Sequence, residues 1–289
     1  MIIIGNETLK VSIATLGAEL QSIYNKQTGL EYLWDANPSF WPRRSPVLFP
    51  VVGGIKNGGY DYKGKTYHFN RHGFAKEMEF SVENKSDISA TFVLKTSDAS
   101  LKMYPFYFKF SIVYTVKGNE LEVKYVVENK GTELMYFSVG AHPAFKVPLT
   151  PNEKYDDYYL SFNEQENAGI YPIAADGLIL NSSVPCLENT NELPLTKELF
   201  YNDALIFKDL KSTSISILNK NNSNGLTVSY EGMPYMGIWS FKNADFVCIE
   251  PWCGLGDTET TTGNIVDKEG INCLKEAEAF IRSWKVALF

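Results

Sequence analysis

The sequence predicts an all-β protein, a large antiparallel β-sandwich that forms a single domain over residues 1–289. Apolar residues recur with period two along most of the chain, whereas helical periodicity is scarce. The 17 tyrosines and 18 phenylalanines suit pleated surfaces. A hydrophobic content of 44% supplies enough apolar material for one sizeable core. No linker rich in proline, serine and glycine divides the chain.

The clearest predicted element is a β-hairpin in the first half of the chain. Residues 107–116 and 121–127 both alternate between apolar and polar side chains, and Gly118-Asn119 between them is a tight-turn signal. Further alternating segments predict strands at residues 226–230, 236–241 and 279–286.

The segment 149–199 has a weak strand pattern and is rich in Asn, Asp and Pro. We expect it to form long excursions from one sheet, with helical turns such as residues 194–199, and not a second domain.

The charge of the chain excludes several classes of partner. With a net charge of −7, the chain lacks the basic surface that nucleic-acid binding requires, and an anionic membrane would repel it. The N-terminal residues lack the pattern of a signal peptide, and no apolar run approaches the ~18 residues of a membrane span. We therefore expect a cytoplasmic protein with a small-molecule ligand. A homodimer is compatible with the sequence.

Neither a metal site nor a cofactor is predicted. The four cysteines form no Cys-x-x-Cys pair and have no histidine near them in sequence, so we interpret them as free, mostly buried thiols. No glycine-rich phosphate motif is present. The cysteines are Cys186, Cys248, Cys253 and Cys273.

Two of the three histidines lie in settings that suit chemistry. His142 is flanked by Gly140 and Pro143, which predict a tight, rigid turn that aims the imidazole away from a strand end. His72 lies between an arginine and a glycine. For both histidines the alternative is a loop side chain with no functional role. His68, in a strand-like segment, is predicted to be structural or exposed.

Glu250 is the candidate general base. It is predicted to end a strand over residues 245–250 that Pro251 stops, with Phe246 and Cys248 on the same face. A carboxylate among apolar neighbours has a raised pKa, which a general base near neutral pH requires. The alternative is an ordinary glutamate at a strand end.

Arginines and aromatic residues cluster around these candidates. Of only four arginines, Arg43, Arg44 and Arg71 precede His72 closely, and planar donors suit sugar hydroxyls or a carboxylate. Aromatic rings can stack on the apolar faces of sugars, although most aromatic residues must belong to the core. The rings near the motifs are those of Trp41, Tyr60, Phe74, Trp239 and Trp252, and we assign Trp252 to substrate binding.

Five segments, in this order, resemble the aldose 1-epimerase (galactose mutarotase-like) superfamily, and within it the LacX-like branch. They lie at residues 44–53, 71–75, 140–145, 202–207 and 248–252, and so span most of the chain. The resemblance implies a galactose mutarotase-like β-supersandwich without a metal ion or an organic cofactor.

The resemblance also implies roles for individual residues. His142 matches the general acid of the family and Glu250 its general base, while His72 and Asp203 match residues that bind the sugar. Two positions depart from the pattern: Gly54 stands where this branch has an arginine, and Lys76 stands where an arginine is more usual. Either Arg44 or Arg71 replaces the arginine absent at Gly54, or the substrate differs.

The first functional hypothesis is a mutarotase that acts on an aldohexose such as galactose or glucose, or on a phosphorylated sugar. An acid and a base on opposite sides of the sugar would open and reclose the ring. The second is a carbohydrate-binding protein with the same cleft and little turnover, which Gly54 favours. A glycosidase would use Asp203 and Glu250 as its carboxylate pair and leave the two histidines without a role.

Overall fold

A computed structural model describes all residues 1–289. The chain forms 22 strands, one short α-helix and five turns of 3-10 helix. The strands are β1 (Ile2–Gly5), β2 (Leu9–Ile13), β3 (Leu20–Asn25), β4 (Leu30–Glu31), β5 (Gly59–Tyr62), β6 (Lys65–His68), β7 (Ser81–Lys85), β8 (Ser89–Lys95), β9 (Phe108–Lys117), β10 (Glu120–Asn129), β11 (Met135–Phe137), β12 (Val139–Gly140), β13 (Ala144–Lys146), β14 (Tyr158–Ile170), β15 (Val184–Pro194), β16 (Leu205–Phe207), β17 (Ser214–Asn219), β18 (Leu226–Ser229), β19 (Tyr235–Trp239), β20 (Phe246–Cys253), β21 (Asn272–Leu274) and β22 (Ala279–Leu288).

The helical segments are short and lie between strands. No helix is both long enough and apolar enough to cross a membrane. The α-helix α1 covers Asp98–Met103, and the 3-10 turns cover Lys56–Gly58, Ala75–Glu77, Tyr155–Asp157, Lys197–Phe200 and Ile265–Asp267.

Two large antiparallel sheets dominate the fold, which confirms the predicted all-β sandwich. One has nine strands in the order β15-β14-β17-β18-β22-β10-β9-β8-β7. The other has the order β12-β20-β19-β16, with β13 also paired to β20. Strands β1 to β4 form a four-stranded sheet, and β5-β6 and β11-β21 form two-stranded ribbons.

The predicted hairpin is confirmed. Strands β9 and β10 pair antiparallel with Leu121 opposite Val116, and Gly118 in the turn has φ +60°. Side chains of β10 alternate strictly between buried and half-buried, because one face packs on the core and the other faces outward. The predicted strands at 226–230, 236–241 and 279–286 correspond to β18, β19 and β22.

The segment 149–199 contains more strand than its sequence pattern indicates. It holds β14 and β15, which lie side by side at one edge of the nine-stranded sheet. Register shifts after Ser161, Glu166 and Ala168 break the period of two, and most of β15 is exposed or half-buried as an edge strand. The helical turn that we expected at 194–199 is present at Lys197–Phe200.

One apolar core lies between the two large sheets. It contains Ile112, Tyr125 and Trp284 from the nine-stranded sheet together with Val247 and Ile249 from β20. Because side chains alternate along β20, Cys248 and Glu250 face away from that core, and Glu250 lies at the floor of a cleft.

Candidate active site

The backbone register brings His142 and Glu250 together. Strands β12 and β13 run along the same edge of β20, where Gly140 pairs with Trp252 and Ala144 pairs with Cys248. His142 lies midway between Gly140 and Ala144, and Glu250 lies midway between Trp252 and Cys248. The shared register therefore places His142 opposite Glu250. Opposite residues of an antiparallel pair present their side chains on the same face, so the ladder itself makes these two side chains neighbours.

The prediction that Pro251 ends the strand was wrong. Strand β20 continues through Pro251 to Cys253. The carbonyl oxygen of Pro251 still accepts a hydrogen bond from the N–H of Ala141 at 3.1 Å. The proline has no N–H to return to Ala141, and the indole Nε1 of Trp252 donates to the carbonyl oxygen of Ala141 at 3.2 Å instead. The strand tolerates the proline because this side chain supplies the missing donor.

The two reactive side chains lie side by side at the floor of the cleft. Nε2 of His142 is 3.3 Å from Oε2 of Glu250, and the two residues are only 7% and 2% exposed. Neither Oε2 of Glu250 nor Nδ1 of His142 has a hydrogen-bond partner in the protein. No sugar fits between atoms this close, so the pair must approach a ligand from one side, unlike the arrangement expected from the sequence.

Burial makes both members of the pair favour their uncharged forms. It raises the pKa of Glu250 well above the ordinary value of 4.5, with a smaller upward effect from Asp203 and a downward effect from the guanidinium of Arg71. Burial also lowers the pKa of His142 to about 3. Both shifts favour one proton on the pair, carried by the carboxyl group of Glu250 with the imidazole of His142 neutral.

His72 is held in one tautomer. The N–H of Gly53 donates a hydrogen bond to Nδ1 of His72 at 3.0 Å, so the proton of the neutral ring lies on Nε2. The residue has a left-handed backbone with φ +68°, and its ring packs edge-on against that of His142 at 5.4 Å between centroids. Burial lowers the pKa of His72 well below its ordinary value, so the residue presents an N–H donor beside the pair.

Three tryptophans shape the cleft around His142. The ring of Trp41 stacks on the imidazole at 4.9 Å, and that of Trp239 meets it edge-on at 5.7 Å. The hydrogen bond from Trp252 to Ala141 fixes the turn that carries His142. At Gly237, the partner of Glu250 on β19, a Cβ would lie 2.5 Å from the Trp252 ring, so that position requires glycine.

The cleft has a volume of about 490 Å³ and collects most of the predicted site residues. The predicted residues in its lining are Arg71, His72, His142, Asp203, Glu250 and Trp252. Trp41, Trp239 and Arg43, which the sequence placed near the motifs without a role, line it as well. Sequence reasoning assigned no role to the remaining residues, which are Pro46, Lys76, Phe200, Ala204, Ser240, Phe241 and Lys242.

Arg44, which the sequence analysis assigned to substrate binding, does not line the cleft. Its guanidinium donates to the backbone carbonyl oxygens of Gln21 and Asp35, and its backbone N–H donates to Glu19. The neighbouring Arg43 lines the cleft in its place. Tyr60 and Phe74, which we considered from their position in the sequence, belong to the main core.

The other predicted ligand, Asp203, enters the cleft from the turn after Lys197–Phe200. Its backbone has φ +84°, and its Oδ1 accepts a hydrogen bond from the N–H of Ala204 at 2.7 Å. This bond fixes the carboxylate and leaves its second oxygen for a ligand.

Gly54 lies outside the cleft. It lines a neighbouring recess together with Asp176 and Arg71, and only Arg71 belongs to both cavities. A Cβ at Gly54 would lie 3.1 Å from the carbonyl oxygen of Gly177. Of the two arginines proposed to replace the absent one, Arg71 is therefore the one in position.

Cys248 lies beside the pair, on the strand face that the sequence predicts for it. Its thiol, a ring nitrogen of His142 and a carboxylate oxygen of Glu250 lie within 4.8 Å of one another. All four cysteines are free, with Cys248 and Cys253 buried, Cys186 half-buried and Cys273 exposed. The absence of a metal cofactor remains a prediction.

Comparison with known proteins decides the family. The family model for aldose 1-epimerase matches residues 1–269. The chain belongs to the aldose 1-epimerase family. Among curated members, the chromosomal protein LacX of Lactococcus lactis subsp. lactis is 38% identical over 271 residues, covering 91% of this chain and 90% of LacX. These findings confirm the resemblance drawn from the five sequence segments.

Solved structures agree with this assignment to the aldose 1-epimerase family. A galactose mutarotase related enzyme from Lactobacillus acidophilus superimposes with a TM-score of 0.96 at 36% identity, covering all of this chain and 97% of the other. A galactose mutarotase-like protein from Lactobacillus casei superimposes with a TM-score of 0.94 at 31% identity, covering both chains completely. The galactose mutarotase-like fold is thereby confirmed.

Proposed function

We propose that this member of the family is an active aldose 1-epimerase, which interconverts the α and β anomers of an aldohexose by opening and reclosing its ring. The observation that carries the proposal is the buried pair of His142 and Glu250, 3.3 Å apart on the floor of a cleft. Both groups have atoms without a protein partner, as expected of groups whose partner is a substrate.

The chemistry needs a proton removed from the C1 hydroxyl and a proton added to the ring oxygen. After the ring opens, rotation about the C1–C2 bond presents the other carbonyl face, and closure reverses both transfers. Both oxygens are bonded to C1, so an acid and a base that lie side by side can serve both. Glu250 acts as the base and His142 as the acid, each worth typically about 10²–10⁴-fold in rate.

For Glu250 to act as the base and His142 as the acid, the proton must first move from Glu250 to His142. Before the sugar binds, the proton is carried by the carboxyl of Glu250. A sugar hydroxyl that donates to this carboxylate, together with Arg71 nearby, favours its ionised form and moves the proton to His142. His72, Asp203 and Arg71 bind and orient the sugar.

Polarimetry on freshly dissolved α-glucose or α-galactose tests the proposal. The protein should accelerate the approach to anomeric equilibrium in proportion to its concentration, and protein inactivated by heat should not. If calorimetry detects binding of the same sugars without any acceleration, the chain is a carbohydrate-binding protein and the enzymatic proposal is wrong.

A further inference from the structure

The cleft concentrates positive charge. Four cationic side chains line it, Arg43, Arg71, Lys76 and Lys242, against the carboxyl groups of Asp203 and Glu250 alone. The chain as a whole has the opposite balance, with 27 Lys and Arg against 34 Asp and Glu. A concave site with this excess of cations attracts anions through its local potential, although the protein is an anion overall.

Two of the four cations are already engaged by the protein. Arg43 forms an ion pair with Glu19 at 3.4 Å, and Lys76 forms one with Glu77 at 3.7 Å. Nζ of Lys76 also donates to the carbonyl oxygens of Arg71 and Gly73 at 2.9 and 2.6 Å. These two side chains therefore help to build the wall of the cleft, and their charges are largely satisfied.

The other two cations have no acidic partner. Neither Arg71 nor Lys242 forms an ion pair or donates a side-chain hydrogen bond within the protein, and Lys242 rests only on the ring of Tyr201, with Nζ 4.7 Å from its centroid. Two unpaired cations facing one cavity match a ligand with about two negative charges. A phosphate monoester carries about −1.5 to −2 charges at pH 7, whereas a carboxylate carries one.

We propose that the preferred substrate is an aldose phosphate, with the phosphate recognised by Lys242 and Arg71; this inference rests on the proposed epimerase function. The phosphate cannot be on C1, because the C1 hydroxyl must be free for anomer exchange. The exocyclic C6 of a hexopyranose is the position that carries a phosphate away from the reacting atoms. A cleft of about 490 Å³ lies within the usual range for ligands of this size.

The two cations have different places in this arrangement. Arg71 contributes to the pKa shifts of both Glu250 and His142, whereas Lys242, which lines the same cleft, contributes to neither. Lys242 is therefore the residue whose loss should weaken recognition of the phosphate more than it changes the pair that acts at C1.

The experiment compares anomer exchange on matched sugars by exchange NMR of the anomeric protons. The substrates are glucose and galactose, their 6-phosphates, and glucuronate and galacturonate. We expect kcat/KM for a 6-phosphate to exceed that for its neutral parent by at least about 10-fold, as for a charge-assisted hydrogen bond. This preference should decline as salt is added, while turnover of the neutral sugar should not.

Substitution of Lys242 tests the assignment directly. Lys242→Gln should reduce the ratio of kcat/KM for 6-phosphate over neutral sugar by about 10-fold, chiefly through KM. The matched control is Lys117→Gln, which removes the same charge from an exposed position at the end of β9, outside the cleft, and should leave the ratio unchanged.

The outcomes separate this inference from the proposed function. Exchange of neutral hexoses without preference for their phosphates would overturn the inference and leave the epimerase function intact. Preference for the uronates would also overturn it, because the anionic group of the substrate would then be a carboxylate. If no sugar is exchanged but 6-phosphates raise the unfolding temperature in a way that depends on Lys242, the phosphate site stands and the epimerase fails. Absence of both exchange and binding overturns both.

Discussion

His142 and Glu250 face each other across an antiparallel backbone ladder, as the pairs Gly140–Trp252 and Ala144–Cys248 on either side of them establish. Their proximity is therefore set by the pairing of the main chains and does not depend on an attraction between the two side chains. Substitutions at either position should change the chemistry of the site without dismantling it.

The first prediction is that Glu250→Gln lowers kcat for anomer exchange by about 10²–10⁴-fold. The amide keeps the shape of the side chain but cannot accept the C1 proton. Exchange NMR measures the loss, and circular dichroism establishes that the variant is folded. Glu231→Gln, an exposed substitution outside the cleft, is the control. A folded Glu250→Gln variant that retains most of its kcat would remove Glu250 from the role of base.

The same substitution should stabilise the protein. Because burial raises the pKa of Glu250 above its value in the unfolded chain, protonation of this residue contributes stability below about pH 4.5. That contribution is lost as pH rises through the folded-state pKa, whereas Gln does not titrate. We expect the Tm of Glu250→Gln to exceed that of the wild type by a margin that grows as pH rises above about 4.5, about 2–4 °C for each kcal/mol. A Tm difference that is constant with pH would contradict the raised pKa.

The second prediction separates the two histidines. His142→Asn removes the proton donor and should lower kcat by about 10²–10⁴-fold. His72→Asn removes a donor that binds the sugar in the ground state and in the transition state alike, so KM should rise and kcat should fall less. His68→Asn is the control, because this exposed residue of β6 lies outside the cleft. If KM rises mainly in the position 142 variant, the two roles have been exchanged.

The third prediction concerns pH. The active form holds one proton on the pair, so kcat/KM should fall at low pH when a second proton binds and at high pH when the last proton leaves. Burial lowers the pKa of His142 to about 3 and raises that of Glu250 well above 4.5. We therefore expect a broad plateau across neutral pH, with the acid limb far below pH 6.5. A narrow optimum with an acid limb near pH 6.5 would mean that the histidine titrates as if exposed.

The fourth prediction concerns metal ions. Exhaustive chelation should leave activity unchanged, because proton transfers by the pair suffice for ring opening. Added Zn²⁺ should inhibit, since the thiol of Cys248 lies within 4.8 Å of the nitrogen and oxygen ligands offered by His142 and Glu250. Cys248→Ser should weaken this inhibition by at least about 10-fold, and Cys273→Ser, at an exposed position, should not. Activity that is lost on chelation and restored by zinc would instead indicate a catalytic metal.

The sequence was sufficient for the elements whose side chains alternate without interruption, such as β9 and β10, because one face of each strand must be buried. It failed at β14, where register shifts break the alternation, and at Pro251, because a proline ends a strand only if nothing replaces its missing N–H. These are properties of the partner strands and their side chains, and no single segment contains them.

The same limit explains which site residues were missed. Arg43 and Arg44 are adjacent and chemically identical, and only the folded contacts of Arg44 with Gln21 and Asp35 determine which of them faces the cleft. Lys242 follows a strand in a loop without periodic pattern. By contrast, the motifs around His142 and Glu250 carry their own signal, because glycine and proline beside a titratable residue mark an unusual local backbone.

Strands β12 and β13 pair with β20 in one common register. The number of residues between β12 and β13 therefore fixes which side chain lies opposite Glu250. Three residues, 141–143, bridge the gap, and three residues of β20 run opposite them. Inserting or deleting one residue there would bring Ala141 or Pro143 opposite Glu250 and turn the imidazole toward the far side of the sheet. Loops at the rim can vary in length as the ligand changes, whereas this tripeptide must keep its length for as long as the chain relies on a paired proton donor and acceptor.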